Sequence, residues 1–286
     1  MSLKKTRPKR IPWALALIPV AAVAAVLALT REKPEAPVPT ENGIAYLEER
    51  ERQDPDVVMK ILRDRHRAEL KAQREELLRQ VKADEISPFT LFQDAVLMGD
   101  SRAEGYWYYG FVDQSRTLTG AGHTILDLNK QLDAVEEMNP QYIYLLYGLN
   151  DVKIGYWGNK DRFVEKYMEY IAQLRQRLPD SVVVVSSILP YHEEEEKAAE
   201  ADGPTEPVDP EVERMKTIPQ WNAALAAACK ENNVIFVDNT AICEVYANLW
   251  EPDGIHIKQT FYKYWVKNLV IAALEEGSTQ VEENNS

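Results

Sequence analysis

Four short stretches of this chain carry the side chains best suited to chemistry. Ala95-Val-Leu-Met-Gly-Asp-Ser101 is an apolar run that stops at Gly99-Asp100-Ser101. Apolar residues closed by a glycine and two small polar residues read as a buried parallel strand entering a sharp turn, which leaves Ser101 at the carboxyl edge of a sheet. Open α/β sheets keep their chemistry at that edge. Gly, Asp and Ser are also the commonest turn residues, so Ser101 gains weight only from its company. Thr119-Gly-Ala-Gly-His-Thr124 supplies glycines whose backbone N–H groups can approach a ligand closely. Tyr147-Gly-Leu-Asn-Asp151 ends another apolar run with a side-chain amide, and Pro252-Asp-Gly-Ile-His-Ile257 offers a carboxylate and an imidazole three residues apart. Hydroxyl, imidazole, carboxylate and amide are the groups of acid–base and nucleophilic catalysis. Each stretch alone is a weak signal.

The elements that must position them follow from the pattern beyond Pro88, where strands and helices alternate as in a parallel sheet wrapped by helices. Strands are predicted at residues 95–98, 142–147, 182–186 and 234–237, with a weaker one at 116–119. Phe163, Tyr167, Ile171, Leu174 and Leu178 form one apolar helical stripe; Trp221, Leu225 and Cys229 form another.

With the elements in place, the four stretches, in order across residues 88–276, resemble the SGNH (GDSL) hydrolase superfamily. The resemblance implies a flavodoxin-like three-layer α/β/α domain with a mostly parallel sheet of about five strands. It makes Ser101 the nucleophile, Asp253 and His256 the acid and base of a catalytic triad, and Gly122 and Asn150 members of an oxyanion hole with the Ser101 N–H. Gly122 is preferred to Gly120 because the family's Gly-Asp-Thr aligns with Gly122-His123-Thr124. On this reading His256 takes the serine proton and later returns it to the leaving alcohol, while Asp253 fixes the imidazole tautomer. No cofactor is implied. The sequence departs from the pattern at His123, where the family has Asp, and His123 is a candidate substrate-binding residue. Arg102 and Glu104 lie outside the general motif and either bind substrate or pair with each other. Asp151 reads as a brace for Asn150. Trp107 and Trp157 fall in segments expected to surround Ser101, where they either stack on sugar rings or are buried.

Composition narrows the function further. The 286 residues, 45% apolar, can bury a full core. Two cysteines exclude a disulfide framework, and His66, His123, His192 and His256 show no metal-ligand spacing, so no metal is expected. Cys229 and Cys243 are read either as a single disulfide or, by default, as two separately buried thiols. The net charge of −13 is uneven: residues 1–33 hold seven basic side chains and one acidic, leaving 26 basic against 45 acidic in the rest. A surface that acidic repels phosphate backbones, which argues against nucleic acid as a partner.

Residues 1–33 read as a basic amino terminus and a membrane segment. Lys4, Lys5, Arg7, Lys9 and Arg10 precede nineteen uncharged residues from Ile11 to Leu29, which at helical rise span about 28 Å, close to the hydrocarbon thickness of a bilayer. The charge bias puts the amino terminus in the cytoplasm and the rest outside. An uncleaved single-pass anchor is favoured over a cleaved signal peptide; both export the domain. Residues 34–87 read as a proline spacer and a helical stalk that starts at Asp54-Pro55-Asp56, with Asp54 as N-cap, and ends near Asp84. Its sparse apolar residues suit a solvated stalk with weak self-association, or equally a helix laid on the domain. Residues 193–213 carry ten acidic side chains and three prolines and read as a loop, either a lid or a solvated insertion. Residues 277–286 read as a disordered tail.

The expected function is an extracellular, membrane-anchored serine esterase acting on O-acyl groups, acetyl first, of cell-envelope or exported polysaccharide. An O-acyltransferase, a lipase or lysophospholipase, and a catalytically silent scaffold are the alternatives.

Overall fold

Short β-branched and aromatic runs bounded by turns set the centre of the molecule. In the computed structural model, which describes residues 54–192, 209–246 and 250–284 together with Ala45 and Asn248, five such runs form one sheet. They are β1 (Ala95–Gly99), β2 (Thr117–Thr119), β3 (Tyr142–Leu146), β4 (Val182–Ser186) and β5 (Ile235–Val237). Every pairing is parallel and the order is β2-β1-β3-β4-β5. The chain thus reverses direction of growth at β1, between β2 and β3, and a crevice opens there at the strands' carboxyl ends. All five predicted strands are present within a residue or two of their expected limits. Strands β1, β3 and β4 are buried along their whole length, as strands covered on both faces must be.

Two apolar layers cover the sheet. On one face Ile125, Leu128 and Leu132 of α3 (Ile125–Met138), Phe163, Tyr167 and Leu174 of α5 (Lys160–Arg177) and Trp221, Leu225 and Cys229 of α7 (Ile218–Glu231) pack on Val96, Ile143 and Val183. On the other, Ala103 and Tyr106 of α2 (Ser101–Tyr108), Cys243 of α8 (Thr240–Val245) and Trp265, Val266 and Leu269 of α9 (Tyr262–Asn284) pack on Leu97, Tyr144 and Val184. Cys229 and Cys243 therefore sit in opposite layers with the sheet between them, both buried and both free. Burial pushes both thiols up to about 12.

Helix α1 (Pro55–Lys82) begins as predicted, with the Asp54 carboxylate accepting from the Asp56 N–H at 2.9 Å. The chain divides into two units between His66 and Arg67. In the second, Val81 is fully buried and Leu77 and Leu78 pack beside it, whereas Leu70 is exposed, as are Val57, Met59, Ile61 and Leu62 in the first. The expected membrane segment and proline spacer lie outside the described residues; among the described residues no helix is long and apolar enough to cross a membrane.

Two expectations are corrected. Residues 277–284 continue α9 rather than forming a disordered tail. Gln280 is buried, and its side-chain amide accepts from the Val183 N–H at 2.6 Å and donates to the Val183 carbonyl at 2.9 Å. Short β5 begins its pairing only at Val184, so this side chain stands in for the missing strand. The acidic stretch is the other: residues 193–208 lie outside the described residues, but α6 (Pro210–Met215) is a helix, capped by Asp209 and seated through buried Met215.

Candidate active site

Gly99 ends β1 in close contact with β3, since a Cβ there would stand 2.7 Å from the Leu146 carbonyl oxygen. Asp100 follows as the N-cap of α2, its buried carboxylate accepting from the Arg102 N–H at 2.9 Å. Burial pushes the Asp100 pKa up, and the Arg102 charge and backbone N–H groups oppose that shift. This cap places Ser101 at the first position of the helix, where backbone N–H groups have no intrahelical acceptor and the helix end favours negative charge.

The loop before α9 brings in the other two groups. The Ser101 hydroxyl lies 3.1 Å from His256 Nε2, and His256 Nδ1 lies 2.6 Å from Asp253 Oδ2. Asp253 Oδ1 also accepts from the N–H groups of Ile255 and His256, each at 2.8 Å. Partial burial alone would raise its pKa; the hydrogen bonds from the His256 ring and the two N–H groups outweigh it and hold the carboxyl below its usual range. The loop depends on Gly254, whose φ is +65° and where a Cβ would lie 2.0 Å from the His192 carbonyl oxygen.

Two further stretches approach the serine. Asn150, on α4 (Leu149–Ile154), donates through Nδ2 to the His123 carbonyl at 2.9 Å, which leaves the second amide hydrogen for a ligand. The Gly120 N–H is taken by the Gly99 carbonyl at 3.3 Å, extending the β1–β2 ladder, while Gly122 stands exposed at φ +76° with no acceptor for its N–H among the described residues. Of the two glycines, Gly122 is the one with a donor to spare. Asp151 binds the two stretches together: its buried carboxylate accepts from the Ile125 N–H at 3.1 Å and from the Trp157 indole at 2.8 Å. Burial pushes its pKa up to about 7.

The structure thus brings Ser101, Asp253 and His256 into one hydrogen-bonded line, with Asn150 and Gly122 on adjoining loops. It disposes of the remaining candidates differently. Arg102 is buried and bonded to three backbone carbonyls, so it neither faces a ligand nor pairs with Glu104. Glu104 is half-buried on the same helix. The His123 ring folds back on its own loop, and a Cβ at Gly120 would lie 2.4 Å from its Nε2; its Nδ1 has no hydrogen-bond partner among the described residues. Trp157 is buried, held by Asp151, and Trp107 is half-buried against Tyr108. Among the described residues the exposed aromatic rings are Tyr108 and Tyr156, at 71% and 70% exposure; Tyr156, beside Trp157, lies in a segment expected to surround Ser101, whereas Tyr108 took no part in the sequence reading. Gly155 and Gly158, both at positive φ, mark the turn that carries Tyr156. No cluster of His, Cys, Asp and Glu suited to a metal occurs among the described residues.

A serine hydroxyl aligned on an imidazole and a carboxylate, at the switch point of a 2-1-3-4-5 parallel sheet, defines a serine hydrolase site of the flavodoxin-like class. Residues 97–264, more than half of the chain, match the GDSL-like lipase/acylhydrolase family, and the chain belongs to that family. It is a carboxylic ester hydrolase. Among solved structures it is similar to the lipase/acylhydrolase from Enterococcus faecalis, at 17% identity over 64% of this chain and 96% of that one, with a TM-score of 0.45. A carbohydrate esterase family 3 protein from Talaromyces cellulolyticus aligns at 16% identity over 66% and 98%, TM-score 0.42. An acetylxylan esterase from Geobacillus stearothermophilus, solved as a catalytic mutant, aligns at 15% over 65% and 93%, TM-score 0.41. No curated protein matches the chain.

Proposed function

We propose that this acylhydrolase is a serine esterase that removes O-acyl groups, acetyl foremost, from cell-envelope or exported polysaccharide, and that it works outside the membrane from an N-terminal anchor. The observation that carries the chemistry is the line Ser101 Oγ, His256 Nε2, His256 Nδ1, Asp253 Oδ2, at 3.1 Å and 2.6 Å, with His256 and Asp253 about half exposed. Ser101 attacks the ester carbonyl as its proton passes to His256 Nε2; the imidazolium is stabilised by Asp253. The carbonyl oxygen gains the charge and accepts from the Ser101 and Gly122 N–H groups and the free hydrogen of the Asn150 amide. Collapse expels the alcohol with the proton from His256, and a water deprotonated by His256 then frees the acid and Ser101.

A carbohydrate as the alcohol part of the ester is supported by the exposed aromatics. Tyr108 is seven residues from Ser101 and shares its stripe of α2 with Glu104, and Tyr156 follows directly on the helix that carries Asn150. The anchor and the outward orientation rest on the charge pattern of residues 1–33, and weak stalk pairing on the exposed apolar residues of α1.

A series of C2 to C12 nitrophenyl esters alongside acetylated glycans tests the reading. The expected outcome is the highest kcat/KM at C2 and release of acetate from glycan. A lipid-type groove would instead favour longer esters by ~0.8 kcal/mol for each methylene buried, and a rise to C8 or beyond would replace the polysaccharide reading with a lipid one. Transfer of acetyl to an added sugar in preference to water would make the protein an acyltransferase using the same three side chains.

A further inference from the structure

The structure assigns Arg102 a positioning role: its guanidinium fixes the Asp253–His256 loop to the helix that carries Ser101, and so sets the distance across which His256 takes the hydroxyl proton. The inference rests on the triad reading above. Arg102 is the residue after Ser101, and its own backbone is pinned at both ends. Its N–H donates to Asp100 Oδ1 at 2.9 Å, and its carbonyl accepts from the Tyr262 hydroxyl at 2.9 Å. From that fixed base the side chain reaches two loops. Nε donates to the Ile255 carbonyl at 2.7 Å, Nη1 to the Leu189 carbonyl at 2.6 Å and Nη2 to the Pro190 carbonyl at 3.0 Å. Ile255 lies between the carboxylate and the imidazole of the relay.

Three successive carbonyls of this loop are held from three directions. Gly254 accepts from the His192 N–H at 3.0 Å, Ile255 from Arg102, and His256 from the Glu251 N–H at 2.8 Å. Of the three, only the Ile255 bond originates on the nucleophile's helix. Trp250 closes the arrangement: the Arg102 guanidinium lies 5.3 Å from the centre of its ring, and Trp250 is itself bridged antiparallel to Ile257. A planar fork with donors in fixed directions suits three diverging carbonyls; a lysine ammonium can serve one of them at this reach. Because the hydrogen bonds that join Asp253 to His256 lie within the loop, loss of Arg102 leaves that pair together and moves it as a unit relative to Ser101.

The test is a double-mutant cycle in the full chain, with kcat and KM measured on nitrophenyl acetate and folding checked by circular dichroism. Arg102→Met keeps much of the apolar stem and removes every donor. It is expected to lower kcat on the order of 100-fold, the scale of a misplacement of about 1 Å, with KM within about threefold. Arg102→Lys should recover part of the loss. In a His256→Ala background the same Arg102→Met change should leave the residual rate within about twofold, since there is no longer a base to position. An equal loss in both backgrounds, a loss confined to KM, or an unchanged kcat would overturn the assignment. If the Met variant does not fold, Arg102→Lys is put through the same cycle and judged by the same outcomes. Ser101→Ala measured in parallel separates the two levels: turnover retained there defeats the triad reading itself, whatever Arg102 does.

Discussion

The two sides of the site are built from different material. Ser101 is placed by the core: β1 is buried throughout, Asp100 caps the helix from a buried position, and Asn150 stands on a helix rooted by Leu149 and Val152. Asp253 and His256 sit on an irregular loop, and their side chains are 47% and 48% exposed. What fixes that loop is a set of individual bonds: two N–H groups onto Asp253, the His192 and Glu251 tethers, and the Arg102 fork. The nucleophile side therefore inherits its precision from packing, and the base side from individual hydrogen bonds, those onto Asp253 open to water and those of Arg102 largely shielded from it. Changes at reacting atoms on either side should cost activity without stability, whereas changes to supports should differ between the sides.

The largest effects test the reacting atoms. Ser101→Ala and His256→Ala should each lower ester hydrolysis by roughly four orders of magnitude or more, with unfolding midpoints close to the parent because neither side chain is buried. Near-normal kcat/KM in either folded variant would mean that the 3.1 Å contact between them plays no part in the reaction.

Next in size is Asn150→Ala. Loss of one oxyanion donor costs about 100- to 1000-fold in kcat. Here the variant also releases the His123 carbonyl, so the Gly122 loop loses one tie to α4 and keeps the one from Asp151 to the Ile125 N–H. We expect kcat to fall within that range and KM to change little. A fall in KM-dependent affinity alone would relocate Asn150 from the transition state to ground-state binding.

This contrast also decides what could be read from the sequence. Strands ended by Gly-Asp-Ser and by Gly-Leu-Asn-Asp are local patterns, so the placement of Ser101 and Asn150 was legible. So was the pairing of Asp253 with His256, which a three-residue spacing allows within one turn. The sequence could not show that Arg102 turns inward, because its acceptors are carbonyls 87 to 153 residues away, and any residue type can supply a carbonyl. Trp157 was open between site and core for the same reason: its partner is decided by burial of Asp151. The helix at Pro210 was legible, since Asp209-Pro210 repeats the signal read correctly at Asp54-Pro55, but the acidic run around it masked the cap. Gln280 could not be foreseen, because only the shortness of β5 creates a place for it.

The smallest effect compares two carboxylates, one on each side. Asp151 is buried, and burial raises its folded pKa to about 7; Asp253 is half exposed, and its hydrogen bonds hold its folded pKa below the usual range. The two make opposite contributions to stability. An acid whose pKa is raised on folding binds more protons in the folded state, so its contribution to stability declines as pH rises from the unfolded value near 4 to about 7, and is flat above that. The slope approaches about 1.4 kcal/mol per pH unit at its steepest. Asp253, with a lowered pKa, contributes above its unfolded value and loses that contribution as pH falls. Asp151→Asn isolates the first term. An Asn oxygen in the Oδ1 position keeps the Trp157 indole at 2.8 Å and the longer Ile125 N–H contact at 3.3 Å, while its NH2 replaces the acceptor 3.1 Å from that N–H, a cost that does not change with pH. Urea unfolding of both proteins from pH 4 to 8 should show the parent losing stability relative to the variant across that window and running parallel to it above pH 8. Parallel curves throughout would mean that Asp151 keeps an ordinary pKa despite its burial, and the nucleophile side would then be no drier in its electrostatics than the exposed loop opposite.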